Sequence, residues 1–228
     1  FKGIGKELYE SAVKLAKEAD VVLFFGGLNK ASHQDCEDSD RYGLELPYAQ
    51  DKVIEAISKV NDNLAVIIIS GNAVAMPWVD NVNAIVEAWY SGSQAGHAIA
   101  DVIFGKVNPS GRLPFSVPFC YEDGPIKTER QYPGIKEEGY EYWQTHYDEG
   151  VYVGYKYYDT AEKDVAFPFG HGLSYTTFEY SDINVSADKI KDTDTVTVSF
   201  KIKNTGDVDG AEVAQVYVND VESTIYRP

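Results

Sequence analysis

The sequence predicts an α/β fold, a three-layer αβα sandwich around a mostly parallel sheet, followed by an incomplete antiparallel β-sandwich. Three observations carry that expectation. In the first hundred residues, apolar runs of strand length alternate with helical stripes of apolar residues. After Asn108 the texture breaks into an aromatic, turn-rich stretch. Beyond Ser174, apolar and polar residues alternate strictly over short segments, the pattern of half-buried strands.

Taken in order, Leu8, Ala12, Leu15 and Ala19 mark a first helix, and "VVLFF" (Val21 to Phe25) reads as a buried strand. Val53, Ile54, Ile57 and Val60 mark a second helix, and "LAVIII" (Leu64 to Ile69) a second buried strand. "NAIVEAWY" reads as a third strand and "QAGHAIADVIFG" as a helix ended by Gly105. In such a fold, ligand chemistry is expected in the loops at the carboxyl ends of the strands. Residues 121–160 form an irregular aromatic segment, which completes an α/β domain over residues 1–160. In the remaining stretch, 161–228, Val196, Val198, Phe200 and Ile202 alternate with polar residues. A complete immunoglobulin-like sandwich takes about 100 residues, and Ser174 to Pro228 holds roughly half that, so the second domain is expected to be partial. Val213, Val216 and Val218 are then expected in a strand whose edge lacks partners.

The 36 acidic against 20 basic residues give a net charge of −16, which repels nucleic acid and anionic membrane surfaces. No apolar run approaches the roughly 20 residues of a membrane-spanning helix. Cys36 and Cys120 are too few and too far apart for a disulfide framework. A neutral, polar ligand is the easier partner, and the 17 Tyr and three Trp suit sugars, although Trp78 and Trp89 are expected to serve the core.

Gly26-Gly27 after a strand is not followed by the G-x-G-x-x-G of a dinucleotide site, and no G-x-S-x-G elbow occurs, so neither a nucleotide cofactor nor a serine hydrolase is indicated. His33, Asp35, Cys36, Glu37 and Asp40 crowd the loop "GLNKASHQDCEDSDRYGLELP", but their spacing matches no calcium or zinc pattern, and no metal or other cofactor is expected. His97 and Asp101, one helical turn apart, read as a surface pair, and His171 as part of a domain junction. Asp40 and Arg41 are candidates to cap a helix starting near Pro47. The four acids within six residues are expected to repel one another and to favour one protonated carboxyl, which is what a general acid needs; Glu37 is the candidate.

At this point "DCEDSDRYGLELPYAQ" resembles the E-G-x-D-R-x-x-L-x-L-P-x-x-Q loop of glycoside hydrolase family 3. "IVEAWYSGSQAGHAIADVIFGKVNPSGRLPFSVP" resembles the family's Ala-Trp-Tyr-x-Gly and Asn-Pro-Ser-Gly-Arg-Leu-Pro series, and "VYVGYKYYD" and "FPFGHGLSYTTFEYSD" continue the likeness. "KNTGDVDGAEVAQVYV" is similar to the start of the fibronectin type III-like domain that follows in many β-glucosidases. The resemblance covers nearly the whole chain. It implies a retaining, exo-acting hydrolase that releases terminal β-D-glucose from glucosides or oligosaccharides, in which an Asp from a (β/α)8 barrel is the nucleophile and a Glu from the α/β sandwich is the acid/base. By motif position that residue is Glu37, with Asp35 and Asp38 as alternatives, since Asp38 stands where the family pattern has Gly. Nothing in these 228 residues resembles the barrel, which is therefore an expected partner on the same or another chain. A homo-oligomer is compatible with the sequence. A family 3 β-xylosidase, or a carbohydrate-binding or interaction module without chemistry, are the other functional readings.

Overall fold

The structure, a computed structural model, describes residues 5–191 and 193–224. Its contacts divide them into two units, the described residues up to 95, 113–170 and those from 217 onward in one, and those of 96–112 and 171–216 in the other.

In the first unit, helix α1 (Lys6–Glu18) leads into strand β1 (Val22–Gly27), helix α2 (Gln50–Ser58) into β2 (Leu64–Ile69), and β3 (Ala84–Glu87) closes the sheet. The order is β1-β2-β3 and both pairings are parallel, as the alternating pattern predicts. β2 lies between two partners, and Val66, Ile67 and Ile68 are fully buried. β1 departs from the buried strand expected of "VVLFF". It is an edge: Val22 and Phe24 pack against the core, whereas Leu23 and Phe25 are 39% and 54% exposed on the opposite face.

The core lies between β2 and the helices. Ala16 of α1, Val53, Ile54 and Ile57 of α2, and Leu64, Val66 and Ile68 close around Trp78, which is fully buried. The indole N–H of Trp78 donates to Asp51 at 2.8 Å, satisfying the one polar atom of that ring. The helical stripe of α1 is turned from its expected face: Leu8 and Leu15 are exposed and Ala16 is buried. Asn61, just beyond α2, donates to Ala16 O and Ala19 O at 2.7 Å each and presents the alanine face of α1 to its neighbour.

Gly27 owes its glycine to strand pairing, whereas Gly26 makes room for the Gln50 and Phe24 side chains. A Cβ on Gly27, whose φ is +136°, would stand 2.0 Å from Ile69 O on β2. Further on, Val117 bridges Phe167, and a short helix, α4 (Tyr155–Thr160), buries Tyr158.

In the second unit, helix α3 (Ala95–Ile103) ends at Gly105, where φ is +72°. Asp101 forms its ion pair with Lys106 at 3.1 Å. The "NPSGR" segment organises this unit: Asn108 accepts from Ser174 Oγ and Tyr175 N and donates to Asp209 O. Arg112 meets Glu212 at 2.7 Å with both side chains largely buried, and burial together with the Arg112 charge lowers the pKa of His171. Strands β4 (Phe178–Val185) and β5 (Val198–Asn204) form an antiparallel pair. Residues 211–220 join no strand, and Val213, Val216 and Val218 are 46%, 62% and 93% exposed. Hydrogen exchange on the isolated chain should find the β2 amides slowest and those of Val213 to Val218 nearly unprotected; slow exchange there in a demonstrated monomer would contradict the open edge.

Candidate active site

The acidic loop begins where β1 ends. Gln50 fixes its root, the side-chain amide accepting from Gly27 N at 2.8 Å and donating to Gly27 O and Pro47 O. The expected cap at Asp40 and Arg41 is not formed. Instead α2 follows a tight turn at Pro47–Ala49, in which Tyr48 and Ala49 both have positive φ, and Leu46 N donates to Asp51. Burial raises the Asp51 pKa, partly offset by the Trp78 and Leu46 hydrogen bonds.

Asp35 is the anchor on one side of Glu37. Its carboxylate accepts from Gly71 N at 2.6 Å, Tyr90 OH at 2.8 Å and Asn72 Nδ2 at 3.2 Å, so the turns after β2 and β3 both hold it. On the other side, Asp40 accepts from Tyr132 OH, and Arg41 donates to Asn72 Oδ1 and to Ala73 O, the latter at 2.8 Å. The loop also closes on itself. His33 N donates to Ser39 Oγ, His33 Nδ1 bonds Asp40 O, and the His33 ring stacks on Tyr42 at 4.2 Å. Cys36 Sγ lies 3.1 Å from Ser39 Oγ, the contact chiefly responsible for lowering its pKa.

Between these anchors Glu37 and Asp38 are exposed, and neither makes a hydrogen bond or ion pair among the described residues. Four acids turned on one another, as their spacing suggested, is not the arrangement: Asp35 and Asp40 face donors from different elements. A groove of about 570 Å³ opens beside the loop, lined among others by Asp35, Asp40, Arg41, Asn72, Tyr121 and Tyr132. The tryptophans lie outside it: Trp78 is core, and Trp89 packs edge-on against Phe115. Among the described residues no three His, Cys, Asp or Glu side chains gather as metal ligands would.

Sequence reasoning missed Glu87. It is the last residue of β3, and burial raises its pKa to about 7, with the nearby Asp35 charge adding to the shift and hydrogen bonds from Trp89 N and Ser70 opposing it. The only sequence signal was a charge inside the apolar run "NAIVEAWY".

Residues 2–175 match the model of the glycosyl hydrolase family 3 C-terminal domain. The chain belongs to this family. A β-glucosidase of Bacteroides ovatus is 49% identical over 225 residues, 97% of this chain and 29% of its own length. Thermostable β-glucosidase B of Acetivibrio thermocellus is 42% identical over 226 residues, 99% of this chain and likewise 29% of the relative. Among solved structures, the family 3 β-glucosidase of Bifidobacterium adolescentis superposes with a TM-score of 0.80 at 39% identity over 91% of this chain and 29% of that one. A Streptomyces venezuelae β-glucosidase solved in complex with D-glucose gives 0.78 at 34% identity over 88% of this chain and 24% of that one. This family 3 chain therefore spans less than a third of the length of these relatives.

The raised pKa of Glu87 sets a pH dependence for the fold. Its folded-state value lies above the ordinary 4.5, so the stability it contributes is full below 4.5 and is lost as pH climbs to about 7. Glu87→Gln cannot titrate. The urea midpoint of the wild type relative to this variant should fall between pH 4.5 and about 7 and then level off by about pH 8; a difference independent of pH would contradict the raised pKa of this half-buried carboxyl.

Proposed function

We propose that this family 3 chain supplies the general acid/base, Glu37, to a retaining β-glucosidase whose nucleophile lies in a (β/α)8 barrel outside these 228 residues. The supporting observation is the contrast inside the loop. Asp35 and Asp40 are committed to hydrogen bonds that hold the backbone, whereas Glu37 is exposed and has no partner among the described residues. A carboxyl that must give a proton to a leaving group and later take one from water needs a fixed backbone and a free oxygen. Asp35 lacks that freedom. Asp38 shares the exposure, and motif position favours Glu37 over it. The domain organisation that goes with this reading is a sandwich domain over 1–160, then a linker and partial fibronectin type III-like domain over 161–228.

In the first step the barrel Asp attacks the anomeric carbon, while the protonated Glu37 carboxyl gives its hydrogen to the departing glycosidic oxygen. In the second, the Glu37 carboxylate takes a proton from water, and the resulting hydroxide displaces the enzyme from the sugar. The geometry requires the two carboxyl groups about 5–5.5 Å apart, which places Glu37 inside a pocket completed by the barrel. β-Linked glucosides are the favoured substrates because the relatives are named β-glucosidases and one was solved with D-glucose. β-Xylosides are the competing specificity.

In the whole enzyme, Glu37→Gln should lower kcat on an unactivated aryl β-glucoside by about 10²–10⁴-fold, while Asp38→Asn costs a few-fold. Equal losses in the two variants, or turnover unchanged in the first, would remove Glu37 from this role and favour a binding module without chemistry. The 228-residue chain by itself should show no measurable turnover of aryl β-glucosides, since one carboxylate cannot perform a two-carboxylate displacement; robust turnover by the purified chain would contradict the shared site.

A further inference from the structure

We propose that Glu87 is a positioning residue for the Glu37 loop, a half-buried carboxyl that ties together the two turns gripping Asp35. This rests on the acid/base reading of Glu37 for its effect on activity, though not for the grip itself.

Parallel register places Glu87 beside Ile68, so its carboxyl stands at the end of β2 where Ser70 begins the turn. Ser70 is fully buried, and its Oγ lies 3.4 Å from each Glu87 oxygen. Glu87 Oε1 also accepts from Trp89 N at 3.1 Å. The next residue in each turn reaches Asp35: Gly71 N and Asn72 Nδ2 after Ser70, and Tyr90 OH after Trp89. One carboxyl therefore sits at the root of both arms, and Asp35 closes them at the tip, two residues from Glu37.

The turns need such a root. Trp89 has a φ of +51°, a conformation costly for any residue with a Cβ, and its N–H is the group that Glu87 accepts from. At Gly71 a Cβ would come within 3.2 Å of Asp35 Oδ2 and 3.3 Å of the Tyr90 ring, so the arms meet with no slack.

Ser70 has one hydroxyl hydrogen, which it gives to Asn72 O at 2.8 Å, with the two Glu87 oxygens as more distant acceptors at 3.4 Å. The charged and titratable groups around Glu87 favour its neutral form: Asp35 from the acidic loop repels a second negative charge, and Tyr90 on the adjoining turn is itself pushed up to about 12 by burial and by its bond to Asp35. Arg41 acts on Asp35 and Tyr90 from the far side. The pair thus divides its duties, with Asp35 accepting from three donors at the tip and Glu87 accepting from Trp89 N and Ser70 Oγ at the root.

The test uses the full-length enzyme with Glu87→Gln, Glu87→Leu and, as control, Glu37→Gln. Two substrates are compared, phenyl β-glucoside, whose poor leaving group needs a proton, and 2,4-dinitrophenyl β-glucoside, whose leaving group does not. Glu87→Leu should lower kcat/KM on the phenyl glucoside about tenfold or more, with only a few-fold change on the dinitrophenyl glucoside. Glu87→Gln, which keeps an acceptor oxygen for Trp89 N and Ser70 Oγ, should stay near wild type on both. Independently of activity, exchange of the Gly71 amide should rise about tenfold in Glu87→Leu and not in Glu87→Gln.

Equal losses on both substrates in Glu87→Leu, comparable damage in Glu87→Gln, or unchanged Gly71 exchange would overturn the proposal. If Glu37→Gln shows no leaving-group bias, the acid/base reading falls, and Gly71 exchange alone judges the hold on Asp35. If Glu87→Leu does not fold, wild-type Gly71 exchange, corrected for its intrinsic rate, decides. It should rise as pH passes about 7 and stay level in Glu87→Gln, and a level wild-type profile would overturn the proposal.

Discussion

Asp35 is the constraint on which the candidate site depends. Its carboxylate collects hydrogen bonds from two turns that start at the ends of β2 and β3, while its own backbone belongs to the loop that leaves β1. Three neighbouring strand ends are thereby fastened at one point. Hydrogen bonds to an ionised acceptor are stronger than neutral ones, and removing the acceptor would leave Gly71 N and the side chains of Asn72 and Tyr90 to find other partners. Asp40 and Arg41 repeat the device on the far side of the loop, where Tyr132, Asn72 and Ala73 receive them. A 22-residue connection between β1 and α2 that would otherwise be free to sample many conformations is pinned on both sides of the exposed Glu37 and Asp38.

The acid/base role proposed for Glu37 would draw on that pinning. An acid on a mobile loop would lose most of its effective concentration at a leaving group, whereas an acid on a clamped loop arrives already oriented and gives up little entropy when a partner surface closes over it. The groove beside the loop is walled by Tyr121, Tyr132 and Arg41, polar-tipped groups suited to a hydroxylated ligand. Among the described residues, edge strand β1, with Leu23 and Phe25 exposed on one face, and the two-stranded β4–β5 sheet leave apolar surface uncovered. That agrees with a chain spanning less than a third of its relatives' length.

Local pattern made much of this legible. A continuous apolar run such as "LAVIII" has one stable destiny in a chain of this kind, a strand buried on both faces, and β2 is that strand. Gly105 ended its helix because a left-handed terminus suits a residue without a Cβ. The family likeness of the acidic loop was readable because its Asp-Arg, Leu-Glu-Leu-Pro and Gln residues have structural duties in this structure: Arg41 on the β2 turn, Leu46 in the core, Gln50 on Gly27. The face of α1 was not legible, because Ala16 and Leu15 differ by 100° on the helix, and Asn61, 45 residues away from Ala16, decides which of them turns inward.

Taken alone, the sequence determined the alternation of helix and parallel strand, the position of the acidic loop at a strand end, and the membership in family 3 that its ordered motifs carry. These are properties of periodicity and of residue order, and they do not depend on where distant segments lie. Which acid is tied and which is free was decided by tertiary structure. Asp35, Glu37, Asp38 and Asp40 are chemically near-equivalent along the chain and become different only when Gly71, Tyr90 and Tyr132 arrive beside two of them. Glu87 is the same case in reverse. A lone carboxylate in an apolar strand looks like an interruption until the register with β2 sets it against buried Ser70, where burial, with the charge of Asp35 adding to it, raises its pKa to about 7.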